Sequence, residues 1–249
     1  MSSDEAAPGR SRLTAAIGRG MARRPAWFVL ALSAVGVATV LIMSIYLPVG
    51  GDWHYVFRPA ARTLVAAGDP YEVEGYLNAP WTLIPLIPLA LLPERIGYAA
   101  LVLGSLLGFG YAAYKLGASP LAMAAFLLSP PVLHSVLNGN VDVLPVLGFI
   151  LPPYIGLFLV AVKPQMGIVL DFYWLVQAWR EGGGRRLLAV GGPITAAMGL
   201  SFLVFGVWPL GFERELSHWW NASLWPLSIP VGLALTAASI RLRNERFAF

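Results

Sequence analysis

The chain has 249 residues, 57% of them hydrophobic and 12% charged, with nine Trp and a mean hydropathy of +0.68. That excludes an ordinary soluble domain, in which about 25% of residues are charged, and the absence of cysteine excludes disulfides, thiolate catalysis and Cys-ligated metals. The net charge of +4 and pI near 9.6 do not point to nucleic acid as a partner, because the positive charges fall in clusters that suit membrane topology.

Residues 1–24 carry Arg10, Arg12, Arg19, Arg23 and Arg24 and read as a disordered cytoplasmic N-terminus. Residues 25–249 read as a single transmembrane domain. The charge-free run 27–47 is long enough to cross a hydrocarbon core of about 30 Å. A cleaved signal peptide fits it less well, because the run is long and no small-x-small site follows. A second basic cluster is Arg180, Arg185 and Arg186, and a third is Arg241, Arg243 and Arg246. Placing all three on the cytoplasmic side of a bacterial cell (plasma) membrane makes 48–79 and 207–225 external loops, with both termini cytoplasmic.

Between these landmarks lie apolar stretches at 80–93, 96–114, 120–137, 141–151, 154–162 and 166–179, several short and rich in Pro and Gly. A path that enters from an external loop and ends at a cytoplasmic cluster needs an odd number of crossings, so all six cannot span. Either 141–162 is one helix broken at Pro152 and Pro153, or one short stretch is re-entrant. Irregular backbone at membrane depth must be satisfied by protein or a water-filled cavity, so the breaks predict an internal cavity. Stretches 187–205 and 226–240 complete the expected fold, an all-α polytopic membrane bundle of about 7–9 segments, some broken or re-entrant.

Polar chemistry is concentrated after the first apolar run. Pro48, Gly50 and Gly51 end that helix, and Asp52 is expected to cap the next. Trp53, Val56, Phe57, Ala60, Ala61, Leu64 and Val65 recur at helical spacing with Arg58 and Arg62 on another face, which predicts an amphipathic segment lying along the membrane surface. Pro59 disfavours a helical Arg58, so two short helices hinged there fit as well as one. Gly68, Asp69, Pro70 and Tyr71 predict a turn. On pattern alone, an amphipathic linker with arginines reaching to the lipid surface is an equal reading.

Several short motifs occur in a telling order. Asp52 is followed by Tyr55 and Phe57, then "GDPY" at 68–71, then "APWTLIPLIPLALLP" at 79–93. Gly139, Asn140 and Asp142 follow, then "VKPQ" ending at Gln165, then "NASL" starting at Asn221. From about residue 27 to residue 240 this order resembles the GT-C superfamily of polytopic membrane glycosyltransferases, most closely glycosyltransferase family 87, the polyprenyl-phosphate-mannose-dependent alpha-mannosyltransferase-like enzymes. Ala79 and Trp81 depart from that family's pattern, the interval from Asn140 to Lys163 is shorter, and the chain stops about one helix after "NASL".

The resemblance implies a GT-C-like fold and transfer of a hexose from a polyprenyl-phosphate donor to an acceptor hydroxyl at the external face. Asp52 would be the catalytic base. One carboxylate suffices because the departing phosphate is already stable as an anion. Arg58, Arg62, Lys163 and Arg214 are candidates for holding the donor phosphate, and a cation inside an apolar run makes Lys163 the most suggestive. Its competing role is ion pairing with Asp142 or Asp171. His54, Tyr55, Asp69, Tyr71, Asn140, Gln165, His218 and Asn221 complete the candidate substrate-binding set, with the neighbouring tryptophans at 219, 220 and 225 as sugar platforms or lipid anchors. No cofactor is implied; a divalent cation near Asp52 and Asp69 has no set of ligands at metal spacing to support it. The lipid bilayer and the polyprenyl-phosphate-linked sugar are the expected partners. Two further readings stay open: a shortened, non-catalytic subunit scaffolding other membrane proteins, and a small transporter.

Overall fold

The computed structural model describes residues 26–211 and scattered positions from 230 to 241. Every regular element in 26–211 is helical. Helix α1 (Ala26–Tyr46) has no buried residue and is apolar on all sides, as a lipid-facing helix is. At 1.5 Å per residue it is roughly 32 Å long, enough to span a bilayer core.

A π-helical turn (Asp52–Phe57) runs directly into α2 (Arg58–Val65). The chain does not hinge at Pro59: Arg58 is helical at φ −66°, ψ −48°, and its N–H reaches back to the Trp53 carbonyl in the wider turn. Pro59 then occupies the first turn of α2, where its missing donor is not needed. The apolar stripe expected to rest on lipid faces protein instead. Trp53, Phe57, Ala60 and Ala61 are buried in the main core with Tyr76, Leu83, Tyr98, Phe109, Val136 and Val141.

Residues 80–93 form a short 3-10 turn (Pro80–Leu83) and the single turn of α3 (Ile87–Ala90), too short to span. Helix α4 (Glu94–Lys115) is the second long apolar helix and packs on α1. Helices α5 (Pro120–Leu127) and α6 (Pro130–Asn138) meet at a 53° bend, where Pro130 and Pro131 open the second helix.

Of the two alternatives for 141–162, the structure shows a chain that folds back. Helices α7 (Val143–Gly148) and α8 (Pro153–Val160) pack against each other across Gly148 and Gly156, where a Cβ on Gly148 would lie 3.1 Å from the Gly156 carbonyl oxygen. Only glycine lets the two backbones approach this closely.

Helix α9 (Ile168–Phe205) is continuous except at Gly182 and Gly183, whose dihedrals are non-helical; Gly183 has φ +58°, ψ −149°, which only glycine adopts readily. The two arms fold back as a hairpin. A Cβ on Gly191 would lie 3.0 Å from Leu175 Cδ2, whereas a straight helix would separate those residues by about 24 Å. Val190 joins Leu170, Tyr173, Trp174 and Ala178 in a second core shared with α8.

Three helices, α1, α4 and α9, are long and apolar enough to cross a membrane, or four if the bent α5–α6 pair is one span. The expected bundle is all-helical as observed; of its seven to nine segments, some broken or re-entrant, the described residues show these three or four candidate spans, with 80–93 as short turns and 141–162 as a hairpin. In place of the internal cavity expected from the Pro-rich breaks, the described residues show an open cleft of about 340 Å³ lined by Leu151, Trp174, Gln177, Glu181 and Arg186. It lies at the tip of the α7–α8 hairpin, whereas Asp52 is tied to the hairpin's base.

Candidate functional site

The site grows from the end of α6. That helix closes with a Schellman motif: Gly139, left-handed at φ +71°, donates its N–H to Val136, and the Asn140 N–H reaches the Ser135 carbonyl at 2.8 Å. Gly139 also lies tightly on the turn that carries Asp52; a Cβ there would be 2.7 Å from Trp53 Cβ. Tyr98 fastens the same corner by donating its hydroxyl to the Leu137 carbonyl at 2.6 Å, and the Trp53 indole donates to the Glu94 carbonyl at 3.3 Å. Asn140 is thereby delivered to Asp52 from 88 residues away.

Four polar side chains form one chain of contacts. Asn140 Nδ2 donates to Asp52 Oδ2 at 2.6 Å, and Lys163 Nζ donates to Asn140 Oδ1 at 2.6 Å. The Val141 N–H donates to the same Oδ1 at 2.7 Å, and Lys163 is ion-paired with Asp142. The Lys163 and Asp142 side chains retain 16% and 23% exposure, so the pair is largely withdrawn from solvent. It closes the base of the α7–α8 hairpin, and of the two carboxylates considered for Lys163 the structure selects Asp142 over Asp171.

Asp52 does not cap a helix. It is the first residue of the π-helical turn, Gly51 occupies the cap position without a side-chain bond, and the Asp52 carboxylate turns to Asn140. Oδ1 of Asp52 has no hydrogen-bond partner among the described residues, and no ion pair joins Asp52 to Arg58 or Arg62 there.

The other sequence candidates divide clearly. His54 Nδ1 pairs with Glu94 Oε1 at 2.6 Å, and its ring meets Tyr55 edge to face, with Tyr55 72% exposed. Arg58 is half-buried with an Nε that lacks a hydrogen-bond partner; Arg62 and Gln165 are exposed. Asp69 accepts the Tyr71 N–H at 2.9 Å and so caps the turn Pro70–Glu72. Tyr71 stacks on Trp208 with ring centroids 5.2 Å apart and planes 9° from parallel, which brings the segment after α9 to the turn that follows α2. Burial above all, with Tyr76 and Asp69 beside it, holds the Tyr71 phenol well above its ordinary pKa, and burial does the same for Tyr76. Both therefore remain neutral donors, Tyr71 to the Asn78 carbonyl at 3.0 Å and Tyr76 to the Ala79 carbonyl at 2.9 Å. Arg214, His218 and Asn221 lie outside the described residues, as do the tryptophans at 219, 220 and 225.

Two residues outside the candidate set hold the stretch of chain that leads to Lys163. Asn78 is buried and donates to the Val162 carbonyl at 2.8 Å, and the Trp81 indole donates to the Phe158 carbonyl at 2.8 Å. Asn78→Ala is expected to cost about 1–3 kcal/mol, because it leaves a buried carbonyl unpaired. A lowered unfolding temperature in detergent, with Lys163 freer to move, would show it. Among the described residues no three His, Asp or Glu side chains converge as a metal site would require.

No family model, curated protein or solved structure matches the chain.

Proposed function

We propose that the chain is a membrane sugar transferase of GT-C type, moving a hexose, with mannose as the first candidate, from a polyprenyl-phosphate donor to an acceptor hydroxyl. The observation that carries this reading is Asp52 itself, a carboxylate with one oxygen fixed by Asn140 at 2.6 Å and the other without a hydrogen-bond partner among the described residues. In the reaction the acceptor oxygen bonds to the anomeric carbon as its proton passes to Asp52 Oδ1 and the bond from that carbon to the phosphate oxygen breaks. The polyprenyl phosphate leaves with the bonding electrons and needs no acid. In-line attack opposite the leaving group inverts the anomeric centre.

The topology fits an external site. With α1 leading outward, an odd number of crossings must separate the first external loop from the Arg180 cluster, and α4, the α5–α6 pair and the first arm of α9 would supply three. The α7–α8 hairpin is then the re-entrant element, entering and leaving on the side of Asp52. Arg58 and Arg62 remain the candidates for the donor phosphate on α2.

The Lys163 and Asp142 ion pair favours a second reading, in which the network is purely structural and the protein a scaffold for other membrane proteins. Transfer of labelled mannose from polyprenyl-phosphate-mannose separates the two, assayed in membranes of the source organism that lack their own copy of the protein. The transferase reading expects the added wild type to restore transfer and Asp52→Asn to fail; the scaffold reading expects both to behave alike.

A further inference from the structure

We infer that Lys163 is a positioning residue that acts on Asp52 through Asn140, rather than a ligand of the donor phosphate. The inference rests on the transferase reading above and assigns work within that site.

The hydrogen bonds at Asn140 admit one orientation of its amide. Oδ1 receives two donors, the Lys163 ammonium at 2.6 Å and the Val141 N–H at 2.7 Å, while Nδ2 faces the Asp52 carboxylate at 2.6 Å. Turning the amide over would set an NH2 group against two donors and a carbonyl oxygen against a carboxylate, losing all three bonds. Lys163 therefore holds Asn140 so that it must donate to Asp52. That bond fixes the carboxylate rotamer and presents Oδ1, not Oδ2, to an acceptor.

Charge accounts for the rest of the arrangement. A lysine that binds phosphate keeps its ammonium uncompensated, as a point charge for the ligand. The Lys163 ammonium is already paired with Asp142 and bonded to Asn140, and its side chain is 16% exposed. Its charge is neutralised where it sits, and its neighbours are the two residues that flank Val141. A backbone clamp reinforces the geometry, since Asn78 holds the Val162 carbonyl, one residue before Lys163, at 2.8 Å. Lys163 is thus fixed from the loop that follows α2, and Asn140 from the end of α6, so three separate segments set the direction of one carboxylate.

A double-mutant cycle on transfer of labelled mannose from polyprenyl-phosphate-mannose reads this directly. Asn140→Ala and Lys163→Met are each expected to lower kcat, by on the order of 10²-fold for a misplaced catalytic group, with KM for the donor unchanged. The double mutant should be no slower than Asn140→Ala alone, because Lys163 has no route to Asp52 once Asn140 is gone. Lys163→Arg, which can still donate to Asn140 and pair with Asp142, should recover much of the loss. Unfolding temperatures measured on the same samples identify a variant that fails to fold, and the cycle is then run on an Asp142→Asn background, which removes the carboxylate that Lys163→Met leaves unpaired. Multiplying effects in the double mutant, or a donor KM that rises on Lys163→Met, would overturn the inference and make Lys163 a phosphate ligand while leaving Asp52 as base. Undiminished transfer by Asp52→Asn, or no transfer restored by the wild type, would instead overturn the transferase reading and the inference with it.

Discussion

Asp52→Asn is expected to lower sugar transfer by roughly 10³-fold, within the 10²–10⁴ range typical of a lost general base, while changing folding stability by less than about 1 kcal/mol. The two effects separate because the substitution keeps the shape. An asparagine at 52 can still accept the Asn140 Nδ2 hydrogen that Oδ2 now accepts. What disappears is the negative charge and the basic oxygen that would take the acceptor proton. Rates measured at saturating donor, with the unfolding temperature of the same purified sample in detergent, test both halves together. A structural carboxylate would behave differently: neutralising it would leave the rate intact or lower rate and stability in parallel.

A large structural effect is expected at Gly139. Gly139→Ala should lower stability by about 2–4 kcal/mol, since it combines a strained left-handed residue with overpacking in the core. The glycine sits at φ +71°, and the added methyl would fall 2.7 Å from Trp53 Cβ and 3.1 Å from the Tyr98 ring. Neither neighbour can easily give way, because the Trp53 and Tyr98 side chains are both buried and hydrogen-bonded to backbone carbonyls. Relief would come by moving the α6 end away from the π-helical turn, which stretches the Asn140 to Asp52 bond and removes activity with stability. Gly104→Ala is the control, on α4 with no atom within 4 Å of the new methyl. It should be neutral or slightly stabilising, by up to about 1 kcal/mol. A sharp fall in the unfolding temperature for residue 139 alone is the expected pattern.

Much of this architecture is legible in the residue order, and the reasons for the rest are physical. The long runs α1 and α4 are visible because a membrane span needs length and apolarity, both of which composition reports directly. The hairpin of α9 is foreshadowed by Arg180, Arg185 and Arg186, which separate two apolar runs around Gly182 and Gly183. The fate of 141–162 could not be read, because a broken helix and a re-entrant hairpin share one composition. What decides between them is contact between Gly148 and Gly156, and glycine spacing carries no direction of chain reversal. The stripe on 53–65 has the right period, but periodicity does not say whether the apolar face meets lipid or protein. Of the site, Lys163 stands out as a cation within an apolar run and Asp52 as a polar residue after the first one, whereas Asn140 is singled out only by the resemblance. Their linkage is not legible, because it joins positions 88 and 23 residues apart. Trp81, a departure from the family pattern, and Asn78, which carried no signal, were both legible only once the α8 and Val162 carbonyls they satisfy were in place.

The most direct test of Asp52 as the base of a sugar transferase is a native mass measurement. Wild-type protein and Asp52→Asn would both be purified in mild detergent from the source organism's own membranes, with bound lipids left in place. The account predicts polyprenyl phosphate on the wild type and, on the variant, polyprenyl phosphate that still carries its hexose, because binding survives and the transfer step does not. A stable complex with other membrane proteins, with neither lipid on either form, would contradict it and establish the scaffold reading in its place.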